Sequence, residues 1–392
     1  MKRMVQILLV VLLGFGLSGC FFAYRAPVDD GATPVVDRQP RGLPGYPEKI
    51  WTDAPDDNGQ AMPLASDTFV KLAGRANPAV VNIFTETNIR TRVGDPLGLF
   101  TIRTPNLDFN ANALGTGFLI SPDGFLLTNA HVVASADEVK VYLWNESEVK
   151  TAQVVGIDRV SDLALLKISH SKPLPFLQLA DSDSVEVGEM AVAIGNPFGL
   201  NHSLTDGLIS AKHRRLHEGK AGQYEDFLQT SAQINPGNSG GPLLDLHGAV
   251  VGVNTAIIAG GQGIGFAVPS NLAKEVVPHL LSYGRVRASY IGIEVGEVTP
   301  DLAKRMELSE ARGGVVTDVI AAGPAERAGL AKNDIILAVN KTQVHDAAAL
   351  ARTVSLLIAD RPAVLTVLRG GKQIKITLTP IMAPADRETG RK

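Results

Sequence analysis

The sequence contains little cysteine and little net charge, and each shortage excludes a class of protein. Cys20 is the single cysteine among 392 residues, so neither an intramolecular disulfide nor a cysteine-based zinc site can form. The formal net charge is -3, whereas nucleic-acid-binding domains concentrate Lys and Arg well beyond such a balance. We therefore predict no nucleic-acid partner. The glycine-rich stretch 260–265 lacks a βαβ context, and we predict no nucleotide, metal or other cofactor.

The composition is otherwise that of an ordinary globular protein. Hydrophobic residues make up 45% and charged residues 20% of the chain, which provides enough apolar material for packed cores. A length of 392 residues exceeds that of one ordinary domain. We expect two folded domains.

The first twenty residues have the layout of an export signal. Lys2 and Arg3 precede an apolar run, residues 4–17, which small residues follow. The end of this segment, Leu17-Ser18-Gly19-Cys20, resembles the bacterial lipobox, whose cysteine becomes the lipidated first residue of the mature protein. The run is shorter than the roughly 20 residues of a spanning helix. An uncleaved anchor and a cleaved secretory signal stay open as alternatives, and every version places the bulk of the chain outside the cytoplasm.

Local patterns divide the rest of the chain into four segments. Residues 21–65 are rich in proline and predict an extended tether. Residues 66–283 predict a β-rich domain, which opens with a short helix capped by Ser66 and ends in a helix that Pro278 should kink. Its short apolar segments favour a sandwich or barrel. Residues 284–382 predict a smaller α+β domain, and residues 383–392 a polar tail.

One serine stands in a setting that favours catalysis. Glycines surround it in the segment Asn235-Pro236-Gly237-Asn238-Ser239-Gly240-Gly241-Pro242, where they let the backbone turn tightly around an accessible hydroxyl. We identify Ser239 as a candidate nucleophile. The N-H groups of Gly237 and Ser239 are candidate donors to the oxyanion of acyl transfer. A structural glycine-rich turn is the alternative for this segment alone.

A serine nucleophile needs a histidine base and a carboxylate that orients the base. His131 follows a predicted strand directly and precedes apolar residues, which distinguishes it from the other histidines. Asp162 opens a strongly apolar strand, and a partly buried carboxylate there requires a partner. The chain order His, Asp, Ser is that of the chymotrypsin class.

These motifs resemble those of the HtrA (Deg) proteases. The similarity includes Thr128-Asn129-Ala130-His131, Ser161-Asp162-Leu163-Ala164, Gly237-Asn238-Ser239-Gly240-Gly241, Gly195-Asn196-Pro197-Phe198-Gly199 and Gly263-Ile264-Gly265-Phe266-Ala267-Val268-Pro269. Membership would imply two six-stranded β-barrels with the active site between them, homotrimers, and loops that complete or collapse the oxyanion hole. The segment 87–114 differs in length from the corresponding segment of both minimal and cage-forming members, and we do not predict a cage.

Substrate preference is suggested by three positions of the sequence. Gln233 stands where trypsin-like enzymes carry the aspartate that selects Lys or Arg. Ile257 and Ile258 would line a small apolar pocket suited to Val or Ala side chains, unless they are ordinary strand core.

The C-terminal segment resembles a PDZ domain. Tyr290-Ile291-Gly292-Ile293 is similar to the loop with which PDZ domains bind a peptide carboxylate. In such domains an extended peptide adds a strand to a sheet edge. An unrelated α+β unit with a structural turn is the alternative.

The expected protein is mostly β: a chymotrypsin-like double β-barrel protease domain followed by an α+β PDZ domain. Its expected function is that of a serine endoprotease on the periplasmic side of the bacterial envelope, anchored to the membrane through its N-terminus. Unfolded or membrane-protein substrates, C-terminal peptides and two further copies of the chain are the expected partners. General degradation and a regulated signalling cut remain open as roles. A holdase chaperone with a vestigial protease site is the alternative from another class, and the complete triad argues against it.

Overall fold

Strands dominate the part of the chain that the structure describes. This computed structural model describes residues 40, 42–55, 64–89, 109–195, 203–215, 226–235, 237–257, 263–306, 308 and 310–383, with the backbone alone at 87–89, 109–114, 256 and 257. No helix among these residues is long and apolar enough to cross a membrane.

Seven antiparallel strands form the first sheet of the larger domain. They are β1 (Val80–Ile89), β2 (Phe109–Leu119), β3 (Phe125–Asn129), β4 (Glu138–Tyr142), β5 (Val149–Thr151), β6 (Gln153–Asp158) and β7 (Leu163–Lys167). They pair in the order β5-β4-β1-β2-β3-β7-β6. The family resemblance implied six strands here. The additional pairing arises because the short strand β5 adds to the outer edge of β4.

Strands β1 and β2 form a long antiparallel pair that includes both ends of the segment 87–114. Its register runs from Val80 opposite Phe118 to Ile89 opposite Phe109. Residues 87–89 and 109–114 of the segment 87–114 are therefore strand, and residues 90–108 lie outside the described residues.

Six strands form the second half of the larger domain and close into a barrel, as the resemblance implied. They are β8 (Met190–Gly195), β9 (Ser203–Arg214), β10 (Phe227–Thr230), β11 (Pro242–Leu244), β12 (Val250–Ile257) and β13 (Gly265–Pro269). The closed order is β10-β13-β12-β11-β8-β9. Strand β13 is buried along its whole length, which its run of apolar residues explains.

The described residues of this domain form three α-helices, α1 (Thr68–Ala76), α2 (Ala130–Val133) and α3 (Ser270–Tyr283). The prediction that Ser66 caps α1 was wrong. The helix begins at Thr68, whose hydroxyl accepts the Ala65 N-H at 2.9 Å. Helix α3 runs through Pro278 because its apolar face is packed into the core, although proline removes one helical hydrogen bond.

Part of the predicted tether is folded onto the larger domain. The Gly42 N-H donates to the Val155 carbonyl at 3.1 Å, and the Ala54 N-H donates to the Leu179 carbonyl at 2.9 Å. Ile50 is buried in the core of this domain. Residues 42–55 are thus held by backbone hydrogen bonds and an apolar anchor, which a proline-rich composition does not reveal.

The smaller domain is an α+β unit with its own core. Its strands are β14 (Ser289–Tyr290), β15 (Ile293–Glu297), β16 (Gly314–Val319), β17 (Ile335–Val339), β18 (Thr342–Gln343), β19 (Ala363–Arg369), β20 (Lys372–Leu378) and β21 (Ile381–Met382), and its helices are α4 (Pro300–Arg305), α5 (Pro324–Arg327) and α6 (Ala347–Ser355). The main sheet has the order β15-β16-β17-β19-β20, with β18 paired to β17. Strand β15 therefore lies at a sheet edge, and α6 packs beside it.

Charged side chains join the two domains. Arg352 of α6 donates to Asp226 at 2.5 Å, and both side chains are largely buried. The His213 ring lies 2.8 Å from the same carboxylate and its centroid lies 4.1 Å from that of His345. Although burial opposes ionisation, the His213 hydrogen bond and the Arg352 charge hold the pKa of Asp226 below its ordinary value. The contact is thus an ion pair shared between α6 and the start of β10.

A cavity of about 250 Å³ lies between α3 and the smaller domain and is lined by residues of both. Glu275 of α3 lines it and accepts a 2.8 Å hydrogen bond from Thr342. Burial raises the pKa of the Glu275 carboxyl to about 7, while the Thr342 hydrogen bond and the Arg352 charge act in the opposite direction. Leu356 closes the same face, where its carbonyl lies 2.8 Å from His279 Nε2.

Candidate active site

His131, Asp162 and Ser239 come from three separate connections between strands, at the place where the two halves of the larger domain meet. His131 lies in the short helix α2, directly after β3, and Asp162 lies in the turn between β6 and β7. Strands β3 and β7 are paired, so this pairing brings the two side chains together. Ser239 lies in the loop between β10 and β11 of the second barrel.

Asp162 orients His131 through two hydrogen bonds. Its Oδ2 lies 2.8 Å from His131 Nδ1, and its Oδ1 accepts the His131 backbone N-H at 3.0 Å. An ionised carboxylate only accepts hydrogen bonds, so this contact places the imidazole proton on Nδ1. Nε2 then carries the lone pair, as a general base requires. The His131 side chain is 51% exposed, which leaves this face of the ring accessible to a substrate.

The backbone of Asp162 adopts a conformation that few residues other than glycine use. Its φ is 56°. Its carbonyl accepts the Ala130 N-H at 3.0 Å and the Asn129 side-chain amide at 3.1 Å. Both donors stand directly before His131, so the same contacts fix the carboxylate and the helix that carries the imidazole. Such over-determined strain is common at functional sites.

Thr255 of β12 connects the carboxylate to the serine. Its hydroxyl donates to Asp162 Oδ2 at 2.6 Å, and its carbonyl accepts from Ser239 Oγ at 3.3 Å. Thr255 is not among the residues predicted from the sequence. Asn254 and Thr255 are visible there as adjacent polar residues inside an apolar strand, a pattern that by itself does not indicate these contacts.

The glycines around Ser239 are required by close packing. Gly237 has a φ of 103° and Gly240 a φ of 83°, which disfavour any side chain. A Cβ on Gly240 would lie 2.2 Å from both the Thr116 carbonyl and the Thr128 hydroxyl, and one on Gly241 would lie 2.3 Å from the Ile194 carbonyl. The sequence Gly-Asn-Ser-Gly-Gly therefore fits a loop pressed against the neighbouring strands.

The serine hydroxyl makes its hydrogen bond with Thr255 instead of His131. The distance of 3.3 Å marks a weak contact. Among the contacts of the described residues, none joins Ser239 Oγ to the imidazole. Proton transfer to Nε2 would require the serine hydroxyl to leave the Thr255 carbonyl and donate to the imidazole.

The predicted specificity pocket lies largely outside the described residues. Gln233 is exposed. Ile257 is described by its backbone alone, at the end of β12, and Ile258 lies outside the described residues. Cys20 lies outside them too. Residues 196–199, which complete the motif that begins at Gly195, also lie outside the described residues.

The predicted carboxylate-binding loop leads into the free sheet edge of the smaller domain. Tyr290 belongs to β14, Ile291 is buried, and Ile293 begins the edge strand β15. Gly292 has a φ of 83°. The Ile291 and Gly292 carbonyls accept the N-H groups of Ala325 and Ile320, respectively, at 2.8 and 2.9 Å. With its carbonyls bound in this way, the loop meets the groove between β15 and α6, where a peptide could add as a strand.

No group of three or more His, Cys, Asp or Glu side chains in the described ranges could hold a metal ion. His131, Asp162 and Ser239 are residue types that acid-base and nucleophilic catalysis uses.

Comparison with known families matches both domains. Residues 115–253 match the trypsin-like peptidase domain and residues 289–379 match the PDZ domain. A probable periplasmic serine endoprotease, DegP-like, from Chlamydia trachomatis serovar D is 45% identical over 276 residues, which cover 69% of this chain and 54% of that protein. A protein of the same description from Pseudomonas putida (strain W619) is 40% identical over 342 residues, which cover 81% of this chain and 70% of that protein.

A solved structure described as HtrA-type protease AlgW with decapeptide is similar too. It has 38% identity and a TM-score of 0.55, and the match covers 81% of this chain and 99% of that one. The chain spans about half the length of the chlamydial relatives. Fold and matches together define a trypsin-like peptidase domain followed by a PDZ domain. The chain belongs to the HtrA (DegP-like) family.

Proposed function

We propose that this chain is a serine endoprotease that cuts unfolded or signalling proteins on the periplasmic side of the bacterial envelope. The observation that carries the proposal is the hydrogen-bonded pair of Asp162 and His131, linked through Thr255 to the hydroxyl of Ser239. Periplasmic endoprotease is the description of the relatives that the chain matches along most of its length. Cleavage of casein by the purified chain, with and without the Ser239 hydroxyl, tests this function.

In the proposed reaction Ser239 is the nucleophile. Its Oγ attacks the scissile carbonyl carbon while His131 Nε2 takes the hydroxyl proton, and the charge on the imidazolium is balanced by Asp162. The carbonyl oxygen becomes an oxyanion that accepts from the N-H groups of Gly237 and Ser239. His131 then protonates the leaving amine, and water attacks the acyl-enzyme by the same route in reverse. Thr255 keeps the carboxylate oriented throughout.

The holdase alternative lacks a comparable observation. A protein that only binds unfolded chains has no need of a strained aspartate backbone or of a histidine held by two hydrogen bonds. A carboxylate and a histidine held in this way support the proposal of a catalytic site.

Regulation by peptide binding is the second part of the proposal. Helix α6 forms one wall of the candidate peptide groove and also carries Arg352, which pairs with Asp226. Asp226 stands directly before β10, the strand that leads into the loop of Ser239. A peptide that adds to β15 contacts α6, so it can change the strength of the ion pair with the protease domain. This connection favours a regulated cut over general degradation.

A peptide with a hydrophobic C-terminus should therefore raise the cleavage rate. A ligand shifts such an equilibrium by its differential affinity for the two states, and couplings of this kind correspond to about five- to 150-fold. Initial rates on a fluorogenic peptide substrate, measured against ligand concentration, give the effect. The same ligand with an amidated C-terminus is the control, because it lacks the charged acceptor for the N-H groups near Gly292.

The ion pair offers an independent check on this coupling. Arg352→Gln should raise the basal rate and reduce the response to peptide, since its partner Asp226 is left without the buried cation. Rates that respond neither to peptide nor to this substitution would exclude a regulatory role for the domain contact.

Anchoring and assembly complete the proposed picture. We infer that Cys20 is lipidated, that the tether holds the enzyme at a membrane, and that the active form is a homotrimer. The lipobox-like Leu17-Ser18-Gly19-Cys20 supports the first two statements, and the third is what the resemblance of the sequence motifs to the HtrA proteases implies.

Cys20→Ala should release the protein from the membrane fraction or leave its signal unprocessed, because the proposed lipid attaches to the cysteine sulfur. Membrane fractionation combined with mass spectrometry of the mature N-terminus measures both outcomes. Phe22→Ala keeps the cysteine and serves as the control. An unmodified Cys20 within an intact N-terminus would identify an uncleaved helical anchor instead.

A further inference from the structure

Thr116, in the first sheet of the larger domain, forms hydrogen bonds with two residues of the loop that carries Ser239. The Thr116 hydroxyl donates to the Gly237 carbonyl at 2.5 Å, and the Thr116 backbone N-H donates to the Ser239 carbonyl at 3.0 Å. Thr116 belongs to β2, whereas Gly237 and Ser239 belong to the second barrel. The two acceptors are the carbonyl groups of the two residues whose N-H groups would form the oxyanion hole.

The peptide unit after Gly237 is fixed from both sides. Its carbonyl accepts from Thr116, and its N-H, which belongs to Asn238, donates to the Asn235 carbonyl at 2.9 Å. The next constraint along the loop is the Gly240 N-H, which donates to the Asn254 carbonyl at 2.8 Å. A glycine has wide freedom in φ and ψ, so these bonds are what select one orientation for the Gly237 peptide unit.

Thr116 is itself held in place. It is fully buried, and its carbonyl accepts the Thr128 hydroxyl at 2.7 Å. Its methyl group lies 3.0 Å from the position that a Cβ on Gly241 would occupy. The hydroxyl therefore has a defined position relative to the loop, and Thr116 rests on the strand pair β2–β3 that leads to His131.

We propose that Thr116 is a positioning residue for the oxyanion hole, acting across the two halves of the protease domain. Its hydroxyl keeps the Gly237 carbonyl turned away from the reacting center, so that the Gly237 N-H stays available for the oxyanion. This inference rests on the proposed function and adds a residue that does not touch the substrate. It gives the polar side chain between Gly115 and Gly117 a role in the chemistry.

Loss of the hydroxyl should act on the transition state more than on substrate binding. The Gly237 carbonyl is buried, and a buried carbonyl without a donor is unfavourable. The Gly237 carbonyl and N-H belong to two peptide units joined at the glycine Cα, so a change in φ and ψ that brings the carbonyl to another donor also moves the Gly237 N-H out of position. Donors that meet the oxyanion stabilise it more than the ground-state carbonyl, so the loss should appear in kcat.

The test uses two pairs of variants that each differ in the hydroxyl. Thr116→Val should lower kcat on a fluorogenic peptide by about 10- to 100-fold, somewhat less than removal of an oxyanion donor itself, with KM within about twofold. Thr116→Ser should retain most of the wild-type kcat, whereas Thr116→Ala should resemble the valine variant. The serine and alanine variants give the answer even if the valine variant does not fold.

Stability and active-site labelling separate this effect from other causes. Thr68→Val removes another buried threonine hydroxyl, far from the site, and should leave kcat unchanged. Thermal unfolding of each variant identifies any loss of fold. The rate of Ser239 modification by a fluorophosphonate should fall in the valine and alanine variants. Equal kcat in the serine and alanine variants would overturn the role of Thr116, whereas wild-type protein that the probe does not label at Ser239 would overturn the proposed function itself.

Discussion

Ser239→Ala should lower kcat for casein by about 10⁶-fold, because the hydroxyl oxygen forms the bond to the substrate and no neighbouring group can replace it. The fold should persist. Ser239 is only partly buried, and its hydroxyl makes a weak 3.3 Å contact, so its removal leaves a small void. Casein cleavage followed by fluorescence, with thermal unfolding of the same sample, measures both statements.

The matched control is Ser184→Ala, which removes the same atom from an exposed turn. The Ser184 hydroxyl donates to the Asp181 carbonyl at 2.7 Å, and neither residue contacts the triad. This variant should cleave casein like the wild type. Residual turnover of Ser239→Ala near the wild-type rate would show that another residue is the nucleophile.

Asp162→Asn should lower kcat by about 10⁴-fold near neutral pH while the protein stays folded. The substitution keeps the size of the side chain and removes its charge. The amide can donate to His131 Nδ1, which would place the imidazole proton on Nε2 and abolish the base facing the serine. It would also leave the imidazolium of the transition state without its counter-charge. Steady-state kinetics between neutral and alkaline pH measure the loss.

Asp245→Asn is the control for this change. Asp245 lies in a turn after β11, where burial raises the pKa of its carboxyl, so a neutral amide replaces it at little cost. It should keep the wild-type kcat. A kcat of Asp162→Asn within tenfold of the wild type would remove the orienting role from this carboxylate.

His131, Asp162 and Ser239 could be proposed as catalytic residues from the sequence because each stands in a short segment whose local chemistry is unusual. Glycines around one serine, a histidine directly after a strand and a charge at the start of an apolar strand are visible in one dimension. The structure brings His131 and Asp162 together through the pairing of β3 and β7, and this pairing follows from the apolar patterns of the two strands.

Thr255 and Thr116 could not be predicted in the same way. Each acts through contacts with residues more than 90 positions away along the chain, and threonine in a strand is common. Their roles depend on the register between strands and on the approach of the two barrels. A sequence pattern fixes neither of these.

The folding of residues 42–55 and the ion pair between the two domains could not be predicted from the sequence either. Proline-rich composition indicated a tether, yet backbone hydrogen bonds to Val155 and Leu179 hold this segment on the protease domain. Asp226 and Arg352 are 126 positions apart, and their pairing depends on how the domains are placed. Composition describes a segment by itself and carries no information on the partner surface.

The central claim is that Ser239 carries the acyl group, and the most direct measurement is the mass of the labelled enzyme. Purified protein treated with a fluorophosphonate should gain one adduct, located by peptide mass spectrometry on Ser239, with loss of casein cleavage in proportion to labelling. The Ser239→Ala variant should gain none. An adduct on a different residue, or full casein cleavage by protein that is completely labelled at Ser239, would contradict the account.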